Sequence, residues 1–189
     1  MTIDEHVLEF DCAGEKLVGI AATGTEVGPV GVVIVVGGPQ YRVGSHRQFV
    51  LLARELADRG MPVFRFDYRG MGDSSGPMVG FERLDDDIRS AIDAFVDLLP
   101  SVKAVVLWGL CDGASAALMY AFRDTRVSGL ILLNPWVRDS QVQAITQIKH
   151  YYRSRLFSRE IWLKLLRGEF RWGRFIQEFW SAASIAWGS

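Results

Sequence analysis

Residues 102–121 constrain this chain more than any other stretch. An apolar run, Val102 to Trp108, leads into Gly109-Leu110-Cys111-Asp112-Gly113, and residues rich in alanine continue to Ala121. The pattern predicts a buried strand, a tight turn and a helix. The turn has the form Gly-x-Cys-x-Gly, which is the strand-to-helix turn Gly-x-Ser-x-Gly with a thiol in place of the hydroxyl. Such a turn needs a sheet beneath it, and the rest of the chain is read for one.

That sheet is legible on both sides. His6–Cys12 and Lys16–Ala22 flank Ala13-Gly14-Glu15 and alternate imperfectly between apolar and polar, which predicts an N-terminal hairpin. Val32–Val36 is five β-branched residues in a row, the pattern of a strand buried on both faces. A loop, Gly37 to Arg42, follows it. Ser45 is placed to cap a helix over about His46–Arg59, with Phe49, Leu52, Ala53 and Leu56 at helical spacing and Gly60 to stop it. Pro62–Phe66 is a further strand, and a glycine-rich loop, Asp67–Gly76, lies at its end. Asp85–Leu98 reads as a helix with three aspartates at its positive N-terminus. Ser128–Asn134 is one more strand, closed by Pro135-Trp136. Strand and helix alternate, so we expect an α/β fold: a mostly parallel sheet with helices on both faces and the hairpin at its start.

Composition sets the limits. The 189 residues suffice for one core, and a net charge of −1 gives no global reason to bind nucleic acid. The acidic start, Met1 to Cys12, has no long apolar stretch of the kind a secretory signal carries. No uncharged run approaches the roughly 20 residues that span a bilayer. Two cysteines are too few for a disulfide framework, so a cytoplasmic location is expected. Charge is uneven, however. Arg138–Ser189 holds nine Lys/Arg against four Asp/Glu, while the preceding residues hold 12 against 18. We therefore expect a core over 1–137 and a separate helical, cap-like segment over 138–189.

In an open parallel sheet, ligands sit beyond the carboxyl ends of the strands. Gly38, Asp67–Gly76, Cys111 and Asn134–Trp136 all fall at such ends, which makes Cys111 the candidate catalytic residue. The backbone N–H of Asp112 is one candidate oxyanion donor. The second comes from the Gly37-Gly38 loop, and because Pro39 has no N–H it falls to Gln40 or Gly38. Cys12 has no such surroundings and is read as strand packing. No pattern calls for a metal or a cofactor.

Together these residues resemble an α/β-hydrolase of the serine aminopeptidase-like group; Asp67-Tyr68-Arg69-Gly70-Met71-Gly72-Asp73-Ser74 is similar to the loop after the fourth strand of that fold. More narrowly, three segments resemble the exosortase A system-associated hydrolase 1 proteins, which are encoded with bacterial exopolysaccharide systems. They are Gly37–Arg47, Trp108–Asp112 and Leu133–Arg138. The resemblance runs from about Val7 to Arg167. It implies a hydrolase-like protein with Cys111 in the nucleophile position and Asp112, Gly38 and Gln40 around the oxyanion. In that fold an acid and then a histidine follow the nucleophile on later strands. Here His150 is the only histidine after Cys111. His46, His150 and, as an acid, Asp139 are the remaining candidates, and the last strands of the fold are expected to be missing, as in a truncated chain.

The resulting expectation is a cysteine-nucleophile hydrolase or acyltransferase acting on a small ester or thioester and associated with exosortase systems. The alternative is a non-catalytic ligand-binding subunit or an inactive truncated hydrolase. Residues 141–187 interleave Arg and Lys with large apolar side chains. Cap packing is the first reading of that tail. Peripheral contact with anionic lipid, or with a partner protein or second copy, is the other.

Overall fold

The computed structural model describes residues 3–38 and 40–136. The expected helical segment over 138–189, with Asp139, His150 and the basic aromatic tail, lies outside the described residues. Among those described, six strands form one sheet: β1 (Asp4–Cys12), β2 (Glu15–Thr23), β3 (Val30–Val35), β4 (Val63–Asp67), β5 (Ala104–Leu110) and β6 (Val127–Leu133). Three α-helices accompany them: α1 (Gln48–Asp58), α2 (Asp85–Leu98) and α3 (Asp112–Tyr120). The strand order is β1-β2-β4-β3-β5-β6. β1, β2 and β4 pair antiparallel, and β4, β3, β5 and β6 pair parallel. This is the mostly parallel α/β sheet with an N-terminal hairpin that the sequence predicts.

The hairpin turn is Ala13-Gly14, between paired Cys12 and Glu15, with φ of 50° and 85°. Two positive φ values at the centre of a two-residue loop match the right-handed twist of the flanking strands. Cys12 is buried at 1% exposure, as strand packing requires.

The β-branched run of β3 has partners on both faces. Val33 and Val35 join a core with Phe64, Phe66, Ile88, Ile92 and Phe95. Val32, Ile34 and Val36 face the other way and join Phe49, Ala53 and Ala57 of α1. Phe64 stacks on Phe95 with centroids 5.4 Å apart, and Phe49 meets Trp108 edge-on at 5.4 Å. Burying side chains of this size stabilises the fold by about 1.5–3 kcal/mol each.

The entry to α1 departs from the expected serine cap. Ser45–Arg47 is a single 3₁₀ turn, and His46 and Arg47 both have positive φ. α1 starts only at Gln48, with no side-chain cap; instead the Phe49 N–H donates to the Val43 carbonyl at 3.2 Å. The chain thus turns into the helix through left-handed backbone, and the loop's own carbonyl takes the place of the serine hydroxyl. Gly60 ends the helix as expected, with φ 80° and its N–H on the Ala57 carbonyl. Among the described residues no helix is long and apolar enough to cross a membrane, and no group of His, Cys, Asp or Glu is arranged to hold a metal ion.

Candidate active site

Cys111 is the single residue between the end of β5 and the start of α3. Its backbone has φ 52° and ψ −119°, outside the ordinary regions for a residue with a side chain. Holding such a conformation costs of order 1–3 kcal/mol, so its surroundings must over-determine it. They do. Its N–H donates to the Leu133 carbonyl at 2.9 Å, and its carbonyl accepts from Ala114 and Ser115 at 3.0 and 3.2 Å. Both flanking glycines are required by close approach. A Cβ on Gly113 would strike the Val35 carbonyl of β3, and one on Gly109 would stand 2.6 Å from the Ala114 nitrogen.

The loop after β3 presses against this turn. A Cβ on Gly37 would overlap the Leu110 carbonyl oxygen, and would stand 2.5 Å from the Gly113 nitrogen and 2.9 Å from the Asp112 nitrogen. Asp112 is the first residue of α3, so its N–H has no acceptor within the helix. Gly38 follows with φ 66°, and its carbonyl accepts a long hydrogen bond, 3.5 Å, from the Tyr68 hydroxyl. Burial, then the nearby Asp112 carboxylate, pushes that hydroxyl up to about 12, which keeps it a neutral donor. Gln40 is half-buried, and its side-chain oxygen accepts from Gln48 Nε2 at 3.3 Å. The structure therefore brings Cys111, Asp112 and the loop carrying Gly38 and Gln40 to one end of the sheet.

It does not bring a histidine to the Cys111 sulfur among the described residues. His46 sits exposed in the 3₁₀ turn before α1. Asp139 and His150 lie outside the described residues. The hydrogen bond at the sulfur comes from Asn134 Nδ2 at 3.7 Å. From the sequence, Asn134 sits at a strand end without a role. Its φ of 50° is a conformation that asparagine tolerates better than most residues. Arg42 and Tyr68 likewise carry no signal in the sequence, because their contacts cross between loops and leave no periodic pattern.

Similarity to known proteins follows this geometry. A family model described as serine aminopeptidase, S33, matches residues 28–169. No curated protein is similar enough to match the chain. Solved structures resemble it in fold. DcsB, in complex with its substrate analogue, superposes with a TM-score of 0.64 at 21% identity, covering 81% of this chain and 54% of that one. The esterase Pf2001 of Pyrococcus furiosus gives 0.67 at 17% identity, covering 81% and 56%. The α/β-hydrolase GrgF from Penicillium sp. sh18 gives 0.64 at 22%, covering 82% and 54%. This chain thus spans little more than half the length of these relatives.

One expectation is corrected by the family match. A cysteine-nucleophile mechanism does not stand: the matched family is one of serine aminopeptidases, so hydrolase-type activity in general is supported rather than thiol chemistry. The family match reaches only the wider group and does not extend to the narrower likeness to exosortase-associated hydrolases with its exopolysaccharide setting. The matched stretch includes both the loop after β3 and the turn before α3, and on that ground the chain belongs to the serine aminopeptidase S33 family of α/β-hydrolases.

Proposed function

We propose that the protein is a hydrolase of small ester-type substrates, with the acyl carbonyl received at the turn between β5 and α3. One observation carries the proposal: the loop after β3 lies so close to that turn that a Gly37 Cβ would approach the Asp112 nitrogen to 2.9 Å. Two chain segments that can each offer a backbone N–H are thereby side by side. Ester hydrolysis passes through a tetrahedral intermediate whose negative charge rests on the former carbonyl oxygen. Fixed N–H donors aimed at that oxygen stabilise it without reorganising during the reaction. The Asp112 N–H lies at the positive end of a nine-residue helix, which adds to the effect. Gln40 or Gly38 supplies the second donor. The ester class is supported by the structural neighbours, of which one is named an esterase.

The full-length protein should hydrolyse 4-nitrophenyl esters of short acyl chains with saturation kinetics. Cys111→Ser installs the residue class for which the family is named, and hydrolysis should persist in it. Background rates in both wild type and Cys111→Ser overturn the proposal. Hydrolysis that vanishes only in Cys111→Ser would reinstate thiol chemistry.

A further inference from the structure

We infer that Arg42 is a positioning residue for the oxyanion side of this site: by gripping the buried Asp67, it fixes the loop that presents Gln40. The inference rests on the proposed function above. Arg42 holds Asp67 twice. Its backbone N–H donates to Asp67 Oδ1 at 2.7 Å, and its guanidinium Nη1 donates to Asp67 Oδ2. Nη2 reaches on to Asp73 Oδ2 at 2.5 Å. The Asp67 side chain is wholly buried, and that of Arg42 is only 14% exposed.

The location gives the pair its meaning. Asp67 is the last residue of β4, the strand beside β3, and its carboxylate also accepts from the Asp73 N–H at 3.1 Å. It is therefore anchored by its strand and the following loop as well as by Arg42. On the other side of Gln40, the Gly38 carbonyl accepts from Tyr68, the residue that follows Asp67. Consecutive residues at the end of β4 thus tie down residues 38 and 42, and Gln40 is the midpoint between the two ties. A surface ion pair would do no such thing. Here a main-chain and a side-chain bond converge on one buried carboxylate and fix both the position and the direction of the strap. Lysine keeps a charge beside Asp67 but lacks the planar fork that spans Asp67 and Asp73.

The test compares wild type, Arg42→Lys and Asp67→Asn as full-length proteins, by ester hydrolysis and thermal melting. Arg42→Lys should melt within a few degrees of wild type and keep KM within about twofold. Its kcat should fall about tenfold to a hundredfold, the scale of loss when a fixed group is displaced by about 1 Å. Asp67→Asn should show the same loss of kcat but melt several degrees lower, because both Asp67 oxygens accept N–H bonds and the amide would set a donor against one of them. An active wild type with kcat unchanged in Arg42→Lys overturns the inference and leaves the proposed function standing. An inactive wild type overturns the proposed function instead. The strap is then read by amide hydrogen exchange: faster exchange confined to residues 37–44 in Arg42→Lys supports the grip, and exchange equal to wild type overturns it.

Discussion

Gly37 and Gly38 are adjacent, but they are glycine for different reasons, and alanine substitutions should separate them. At Gly37 the obstacle is space. A Cβ there would meet the Leu110 oxygen, the Gly113 nitrogen at 2.5 Å and the Asp112 nitrogen at 2.9 Å, far inside the roughly 3.5–4.0 Å of an optimal contact between carbon atoms. All three are main-chain atoms of the turn around Cys111, held between β5 and α3, so none can swing aside. Overpacking of this kind costs about 1–3 kcal/mol, and the upper end is expected. Loss of chain entropy in the unfolded state returns about 0.4–1 kcal/mol. The net loss for Gly37→Ala is therefore about 2 kcal/mol. At Gly38 nothing lies within 4 Å, but φ is 66°. Left-handed backbone costs a residue with a Cβ about 1–2 kcal/mol, and with the same entropic return the net loss is about 0.5–1 kcal/mol. Urea unfolding of the full-length protein reads both. At an m-value of about 2 kcal/mol/M, Gly37→Ala should lower the midpoint by about 1 M and Gly38→Ala by less than half of that. Equal midpoints, or Gly38→Ala falling further than Gly37→Ala, would refute the claim that the strap abuts the turn.

Two further outcomes concern stability alone. Asp87 is wholly buried and accepts from the Arg69 backbone N–H at 2.8 Å, from Nε at 3.0 Å and from Nη2 at 2.7 Å. Asp87→Ala strands that guanidinium and should cost about 3–5 kcal/mol, lowering the thermal midpoint by roughly 6–20 °C, whereas Asp87→Asn should lose less. Asp124 is held below the usual carboxylate range, chiefly by the Arg126 guanidinium and further by the Tyr120 hydroxyl. A depressed carboxyl contributes its stability in full above its unfolded value of about 3.9 and loses it as pH falls towards the folded value. Urea midpoints measured from pH 6 down to pH 2 should therefore fall less steeply in Asp124→Asn than in wild type, and parallel curves would refute this assignment.

The fold was more legible in the sequence than the site was. Val32–Val36 announced a strand covered on both faces, and Gly109-Leu110-Cys111-Asp112-Gly113 announced an abrupt passage from strand to helix. Both signals are local: burial on two faces selects β-branched side chains, and close packing at a turn selects residues without them. Boundaries were weaker. Helix α3 starts at Asp112, ahead of the first alanine, and Ser45 caps nothing, because left-handed residues between Gly44 and Gln48 already redirect the chain.

The sequence by itself determined that a parallel sheet would present Cys111 at a strained turn with glycine on either side. Tertiary structure alone decided what meets that turn. The strand order places β3 between β4 and β5, and this brings Gly37 against the Asp112 nitrogen and Arg42 onto Asp67, contacts separated by 75 and 25 positions along the chain. Among the described residues it also set the Asn134 amide beside the Cys111 sulfur. A periodic pattern records which face of an element is buried. It carries no record of which loop lies across the sheet's edge, because that depends on pairing between strands distant in the chain.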